Sequence, residues 1–214
     1  EDITINLDPN KSPAENVQSY YKKYNKLKKS EEAAKEQLEK NSEELLYLNS
    51  VLINIQNADN YEEIEDIKNE LITTEYIRKR KQNKNSKKSK TSKPLHFISS
   101  DGIDIYVGKN NIQNDYLSLK LASKNHLWLH TKNIPGSHVI ICATDIPDST
   151  LEEAASLAAY YSKAQNSTKV PVDYTLVKNL KKPSGAKPGM VIYHTNYTLY
   201  IDPKNYTDLN IRKE

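Results

Sequence analysis

The sequence predicts an α+β protein, in which a projecting antiparallel coiled-coil hairpin of helices precedes a compact domain with a mixed or antiparallel sheet and two helices. A heptad-like apolar pattern near the N-terminus predicts the hairpin, and short alternating apolar segments after Pro94 predict the sheet. Hydrophobic residues make up only 36% of the 214 residues and charged residues 28%, which fits a globular part joined to a solvated helical part. We therefore expect four segments: an extended arm at 1–11, the hairpin at 12–80, a flexible basic linker at 81–93 and the sheet domain at 94–214.

A long helix is predicted to begin in the stretch Ser-Pro-Ala-Glu. Ser12 can cap the helix, Pro13 suits its first position, and Glu15 can reach back to the free backbone amides to complete a capping box. A helix over about residues 13–57 would be roughly 65 Å long at 1.5 Å per residue, so we expect it to project from a domain of this size. Its heptad seam consists of Val17, Tyr20, Tyr24, Leu27, Glu31, Ala34, Leu38, Asn41, Leu45, Leu48, Leu52 and Ile55.

A second helix is predicted after Asn60, which can cap it, with Glu62 and Glu63 in its first turn. Apolar residues recur along one face of this helix, so we expect it to fold back antiparallel along the first one. A spacer or an oligomerising rod is the simpler interpretation, and the back-folding second helix favours a monomeric hairpin. The apolar stripe consists of Ile64, Ile67, Leu71 and Thr74.

Charge alternates in blocks along the chain. Residues 11–30 hold six lysines and one acid, residues 31–75 hold thirteen acids and three lysines, and residues 76–125 hold twelve basic residues and three acids. The acidic block would repel phosphates, so we expect any partner of the hairpin tip to be a basic protein. The stretch 78–93 has nine basic residues and no acid, which suits either a solvated hinge or a sequence-independent contact with nucleic-acid backbone.

The sheet domain is predicted from short apolar segments that turns separate. Asp-Gly and Pro-Gly-Ser each lie between two such segments, as in hairpins. An alanine-rich helix is expected from the capping stretch at 148–153 to about Gln165, and another over 111–123. In the latter, Ile112, Tyr116 and Leu119 should face inward, with Ala122 as a further candidate. Strands are expected in LHFIS (95–99), IDIYV (103–107), HLWLH (126–130), HVIICA (138–143), VDYTLVKNL (172–180), MVIYH (190–194) and TLYID (198–202).

Metal and catalytic sites are not favoured by the residues. His126, His130 and His138 could ligate zinc, but the first two would lie about 13 Å apart on one strand at roughly 3.3 Å per residue. The motifs GxSxG and HExxH and a glycine-rich phosphate loop are absent from the sequence, and Cys142 ends an apolar strand, where a thiol is usually inert. We therefore expect no enzymatic activity, no cofactor and no metal ion.

The Pro-Gly-Ser turn is the first candidate for a binding surface. Glycine allows close approach of a backbone, and exposed amides can donate to phosphate oxygens. Trp128 would either share the outer face of its strand with the histidines or be covered by the alanine-rich helix. The residues expected to cluster at the turn are His130, Lys132, Gly136, Ser137 and His138.

The loop KNLKKPSGAKPG (178–189) is the second candidate. It contains several proline and glycine residues and no acidic residue, so it could follow a phosphate backbone. A solvated surface loop is the simpler alternative. Its RNA-binding candidates are Lys178, Lys181, Lys182 and Lys187.

Long segments of the chain carry a family resemblance. The resemblance lies in four segments. Two are in the sheet domain, NDYLSLKLASKNHLWLHTKNIPGSHVII (114–141) and AAYYSKAQNSTKVPVDYTLVKNLKKPSGAKPGMVIYHTNYTLYIDP (158–203). Two are in the helical part, DPNKSPAENVQSYYKKYNKLKK (8–29) and NADNYEEIEDIKNEL (57–71). The first two resemble the C-terminal NFACT-R domain of the NFACT family, whose bacterial members are called RqcH or fibronectin-binding protein A. The last two resemble the coiled-coil middle region of that family.

The resemblance implies a cytoplasmic factor of ribosome-associated quality control. Such proteins bind stalled large ribosomal subunits that carry peptidyl-tRNA, and they support alanine tailing with alanyl-tRNA. The implied partners are rRNA of the large subunit, a stalk-base protein that the coiled coil reaches, and tRNA, with no membrane. A single cysteine fits a reducing compartment. The older family name leaves a cell-surface fibronectin-binding adhesin as the alternative.

Overall fold

The computed structural model describes residues 3–78 and 92–214, so most of the expected basic linker at 81–93 lies outside the described residues. The chain divides into two compact units, Glu1–Leu45 and Leu46–Glu214. The boundary falls within α1 (Pro13–Gln56), the long helix that the sequence predicted over about residues 13–57. Among the described residues, no helix is both long and apolar enough to cross a membrane.

The first unit combines an extended arm with the N-terminal part of α1. The capping box is confirmed, because the Ser12 amide donates to Glu15 Oε2 at 2.8 Å and the Glu15 amide donates to Ser12 Oγ at 3.3 Å. Asn16 is buried and ties the arm to the helix, since its Oδ1 accepts from the Asp8 amide at 2.8 Å and its Nδ2 donates to the Asp8 carbonyl at 3.0 Å. These hydrogen bonds attach the arm to the start of the helix.

The helical hairpin is present in the second unit, but its predicted seam is wrong. The second helix, α2 (Tyr61–Thr73), has only 13 residues and packs antiparallel against the last turns of α1. The buried α1 side chains that form a cluster with Ile67 of α2 are Tyr47 and Val51, each one position before a predicted seam residue. One position turns the contact face by about 100° on a helix, which leaves the predicted leucines in solvent. The exposed seam residues include Leu27, Leu38, Leu45, Leu48, Leu52 and Ile55.

The sheet domain is antiparallel throughout its described strands. The strands are β1 (Leu95–Ile98), β2 (Asp104–Val107), β3 (Leu127–Thr131), β4 (Val139–Ile141), β5 (Val170–Leu176), β6 (Leu180–Lys181), β7 (Ile192–Tyr193), β8 (Tyr197–Ile201) and β9 (Arg212–Lys213). Seven of them form one sheet with the order β8-β5-β3-β4-β2-β1-β9, and β6 pairs with β7 in a separate ribbon. This confirms the predicted α+β class.

The two faces of the large sheet are covered differently. The alanine-rich helix α4 (Asp148–Tyr160) packs on one face, where Phe97, Ile105, Leu129 and Val172 form the main core. Small alanine side chains on α4 allow this close approach of helix and sheet. On the opposite face, a second cluster consists of Leu117, Trp128, Ile140 and Val177. Trp128 is therefore buried, but not under the alanine-rich helix that the sequence offered as its cover.

The helix expected over 111–123 is shorter than predicted, and a different face of it is buried. Helix α3 (Asn111–Tyr116) runs into a π-helical turn, Leu117–Leu121, which adds one residue to the turn and places Leu117 against the sheet. The buried face of α3 carries amide side chains. The spacing of apolar residues in the sequence therefore predicted the wrong face of the helix as the buried one. The residues predicted inward are exposed instead: Ile112 at 44%, Tyr116 at 45% and Leu119 at 43%.

Helix α2 is attached to the sheet domain by three carboxylates on one face. Glu63 forms an ion pair with Lys109, Asp66 accepts from the Ser92 amide and hydroxyl, and Glu70 accepts from Asn111. Burial favours a raised pKa for Glu63, but Lys109 and backbone donors outweigh it and the net pKa is lowered. These three acids belong to the block that the sequence assigned to a repulsive hairpin. They face inward instead, where they fix α2 to the domain.

Candidate nucleic-acid interface

The Pro-Gly-Ser turn lies inside the domain rather than on its surface. Gly136 forms a bridge with Ser162, and a Cβ atom at Gly136 would lie 2.8 Å from Ser162 Cβ. Glycine is thus needed because two backbone segments approach closely. Ser137 and His138 are 3% and 2% exposed. The structure thus buries all three residues that the sequence proposed as an RNA contact at this turn, and RNA binding by them stays a prediction.

The histidines beside the turn form an aromatic cluster with Trp128. The ring centroid of Trp128 lies 5.7 Å from that of His130 and 5.1 Å from that of His138, and His138 Nδ1 is 2.8 Å from Ser118 Oγ. Burial lowers the pKa of His130, and burial together with the nearby His130 lowers the pKa of His138 well below its usual value. Both imidazoles are therefore neutral near pH 7 and cannot supply positive charge to a phosphate.

A small pocket lies next to this cluster. Its volume is about 200 Å³, and its lining includes Tyr47, His130, Met190 and Tyr193. Trp128 also contributes to the wall, but it is only 1% exposed, so its ring is not a platform on which a base could stack. Within the described part of the chain, no group of three or more His, Cys, Asp or Glu side chains could hold a metal ion.

The 178–189 loop divides its lysines between two roles. Lys182 forms an ion pair with Asp115, and Asp115 Oδ1 also accepts from the Gly189 amide at 3.1 Å. Lys187 Nζ lies over the rings of Tyr76 and Tyr47, at 4.4 and 4.9 Å from their centroids. The loop contains no acid of its own, but the fold supplies one from α3. Lys182 and Lys187 are thus both engaged within the domain, and their contact with a phosphate backbone stays a prediction.

Four exposed lysines form what we call the cationic patch: Lys120, Lys124, Lys178 and Lys181. The Lys178 amide donates to the Lys124 carbonyl at 3.0 Å, which places these two residues side by side, and each has another patch lysine within four residues. Among the described residues, none of the four forms an ion pair. Their charge is therefore available to an anionic partner.

Only part of this patch was found from the sequence. Lys178 and Lys181 were candidates, whereas Lys120 and Lys124 were missed because they lie more than fifty positions earlier in the chain. The pairing of residues 124 and 178 joins the two segments, and no local motif reports it. Lys132, another RNA-binding candidate, is exposed, but its Nζ lies 3.7 Å from the buried Asp173 carboxylate, so part of its charge is compensated.

The fold and this surface define an α+β domain with a solvent-facing cationic patch, attached to a helical hairpin. Two family models match the chain, NFACT N-terminal and middle domains over residues 1–90 and NFACT protein RNA binding domain over residues 93–195. The chain therefore belongs to the NFACT family, as the four sequence segments indicated.

Relatives agree with this assignment. The chain is 43% identical over 213 residues to the Rqc2 homolog RqcH of Bacillus subtilis (strain 168), a match that covers 99% of this chain and 37% of that protein. It is 41% identical over 213 residues to the Rqc2 homolog RqcH of Streptococcus pneumoniae serotype 2, covering 99% of this chain and 38% of the relative. The chain thus spans little more than a third of the length of these curated relatives.

A solved structure also has this fold. It is the C-terminal part of the fibronectin/fibrinogen-binding protein from Streptococcus suis, which is 41% identical to the chain. The superposition has a TM-score of 0.82 and covers 92% of this chain and 79% of that one.

Proposed function

We propose that this chain is the RNA-binding and ribosome-docking part of a ribosome-associated quality-control factor. The observation that carries the proposal is the cationic patch, whose four lysines lie on the segment that the NFACT RNA binding domain model matches. Lysines that neutralise phosphates release counterions, so they give affinity that falls with salt and does not depend on base sequence. This suits a domain that docks on a large RNA surface.

The more detailed role follows from similarity to RqcH proteins. The chain would act in the cytoplasm on stalled large subunits that carry peptidyl-tRNA, contacting rRNA and tRNA with its domain and a stalk-base protein with its helices. In that setting it would support alanine tailing with alanyl-tRNA. It would contribute binding rather than chemistry, which agrees with Cys142, the single thiol, whose pKa burial raises to about 11.

The test is crosslinking of the chain to purified large ribosomal subunits, followed by sequencing of the attached RNA. The matched variants are Lys124→Ala/Lys178→Ala and Lys169→Ala/Lys204→Ala. All four residues are exposed, but Lys169 precedes β5 whereas Lys178 follows it. We expect rRNA or tRNA crosslinks that only the first pair reduces. Equal loss with both pairs, or no RNA crosslinks from the parent chain, would contradict the proposal.

A second candidate has one observation in its favour, the name of the Streptococcus suis structure, a fibronectin/fibrinogen-binding protein. An adhesin must be accessible on intact cells. Antibody labelling of intact and permeabilised cells separates the two functions. Labelling of intact cells that protease treatment removes would support the adhesin and argue against a purely ribosomal role.

A further inference from the structure

An apolar groove lies between the α3 segment and the first two strands of the large sheet. Its volume is about 880 Å³, and one wall is a stripe formed by Ile112 and Tyr116 of α3 and by Leu119 of the π-helical turn. Tyr106 of β2 and His96 of β1 line it from the sheet. We call this the α3 groove.

The α3 groove has the composition of a core but is open to solvent. The sequence pattern predicts that its helical stripe is buried, yet all three side chains remain more than 40% exposed. A contiguous exposed apolar surface of this kind typically marks a binding site. The aromatic rings are suitably arranged, since Tyr106 and His96 already stack on each other, with centroids 4.5 Å apart and an interplanar angle of 7°.

The charged residues that line the groove favour an anionic occupant. Lys93 and Lys120 are exposed and form no ion pair within the described residues. The acid in the lining, Asp115, is compensated by Lys182. Lys120 is also a member of the cationic patch, so the groove and the patch form one continuous surface.

The occupant must be both anionic and able to contact aromatic rings. A peptide that binds in an extended conformation usually adds to a free strand edge. The groove offers none, because β1 pairs with β2 and β9, and β2 pairs with β1 and β4. Unpaired RNA has bases that stack on aromatic side chains and phosphates that contact lysines, and duplex RNA has no free base faces.

We propose that the α3 groove binds a single-stranded RNA segment, with bases on Tyr116 and Tyr106 and phosphates at Lys93 and Lys120. This inference rests on the proposed RNA-binding function and adds a second mode to it. The cationic patch contacts phosphates of any RNA, whereas the groove selects strands whose bases are unpaired.

The test measures binding of the 214-residue chain to two fluorescein-labelled probes, a 12-nucleotide oligouridine and a 12-base-pair RNA duplex. Tyr116→Ala is the probing variant and Tyr116→Phe retains the ring. Tyr200→Ala is the control and removes an exposed tyrosine on β8, at the far edge of the sheet from the groove. We expect Tyr116→Ala to weaken oligouridine binding by about 5- to 100-fold and to leave duplex binding unchanged. The Phe variant and Tyr200→Ala should bind both probes as the parent does.

The experiment distinguishes failure of the groove proposal from failure of the proposed function. If Tyr116→Ala binds oligouridine as tightly as the parent, the groove proposal is overturned. If Lys124→Ala/Lys178→Ala also leaves duplex and oligouridine binding unchanged, the proposed function fails as well, so the two failures are distinguishable. A labelled amphipathic helix of Glu and Leu is the third probe. Loss of its binding in Tyr116→Ala, with RNA binding intact, would assign the groove to a protein partner and overturn the proposal.

Discussion

Glu70 and Asn111 join the helical hairpin to the sheet domain through two hydrogen bonds. The Asn111 amide donates to Glu70 Oε2 at 3.2 Å, and Asn111 Nδ2 donates to Glu70 Oε1 at 2.9 Å. Tyr47 of α1 donates its hydroxyl to the same Oε1 at 2.9 Å. Glu70 is completely buried, and burial raises its pKa although these donors oppose the shift. Three elements, α1, α2 and α3, thus meet at one carboxylate.

Glu70→Ala should lower the free energy of unfolding by about 1–3 kcal/mol, because the donors of Tyr47 and Asn111 would lose their acceptor in a buried site. Urea unfolding followed by circular dichroism measures this. Glu62→Ala on the exposed side of α2 is the matched control and should cost less than about 1 kcal/mol. Equal costs for the two variants would show that the buried carboxylate has no special role in stability.

Gly189→Ala should destabilise the domain more than Gly185→Ala. Both glycines have positive φ, 78° and 76°, where an L-residue costs about 1–2 kcal/mol. A Cβ atom at Gly189 would also lie 2.6 Å from Asn111 Oδ1, whereas one at Gly185 meets no atom within 4 Å. Thermal unfolding of the two variants isolates the contact with Asn111. Identical melting temperatures would contradict it.

Acid should destabilise the fold through His138. Its pKa is lowered in the folded state, whereas an unfolded histidine takes up a proton near pH 6.5. Stability should therefore be unaffected above about pH 6.5 and fall as the pH decreases below it, by up to about 1.4 kcal/mol per pH unit for one proton. NMR titration should find the His138 imidazole still neutral when the unfolded chain is protonated.

A variant control accompanies that titration. His138→Asn should reduce the slope of unfolding free energy against pH, while His194→Asn on the exposed surface keeps the buried imidazole and should retain the slope. An unchanged slope in His138→Asn would assign the acid sensitivity to other groups, His130 first among them.

Two adjacent lysines should respond differently to replacement. Lys181 is exposed, so Lys181→Ala should reduce the slope of log affinity against log salt for RNA by about 0.7–0.9 and leave stability unchanged. Lys182 is paired with Asp115 and also donates to the Lys187 carbonyl at 3.1 Å, so Lys182→Ala should cost roughly 1 kcal/mol of stability with a smaller change of salt slope. The reverse pattern would show that the ion pair opens when RNA binds.

Helix-capping and turn residues in the sequence correctly predicted where several helices and strands begin and end. Ser12 with Glu15 and Asn60 with Glu63 both form the predicted helix starts, and the Pro-Gly-Ser turn lies between β3 and β4. Such signals act within a few residues, so neighbouring letters are sufficient to identify them.

The features that the sequence did not predict have a common physical origin, because they depend on contacts between segments that are distant along the chain. The inward face of α3 is fixed by amide side chains such as Asn114, whose Oδ1 accepts from the His138 amide, and apolar periodicity cannot report such a face. Likewise, the acid that compensates Lys182 lies 67 positions away, and Tyr76 lies 111 positions from Lys187. The cationic patch was incomplete for the same reason, because only the fold joins Lys124 to Lys178.

The hydrogen bonds of Ile77 and Ser92 fix both ends of the connection between α2 and the sheet domain. Ile77 donates its amide to the Leu71 carbonyl and Ser92 donates its amide to Asp66 Oδ2, so both ends are held on α2, about one and a half turns apart. The separation that the intervening residues have to span is therefore set by α2 itself.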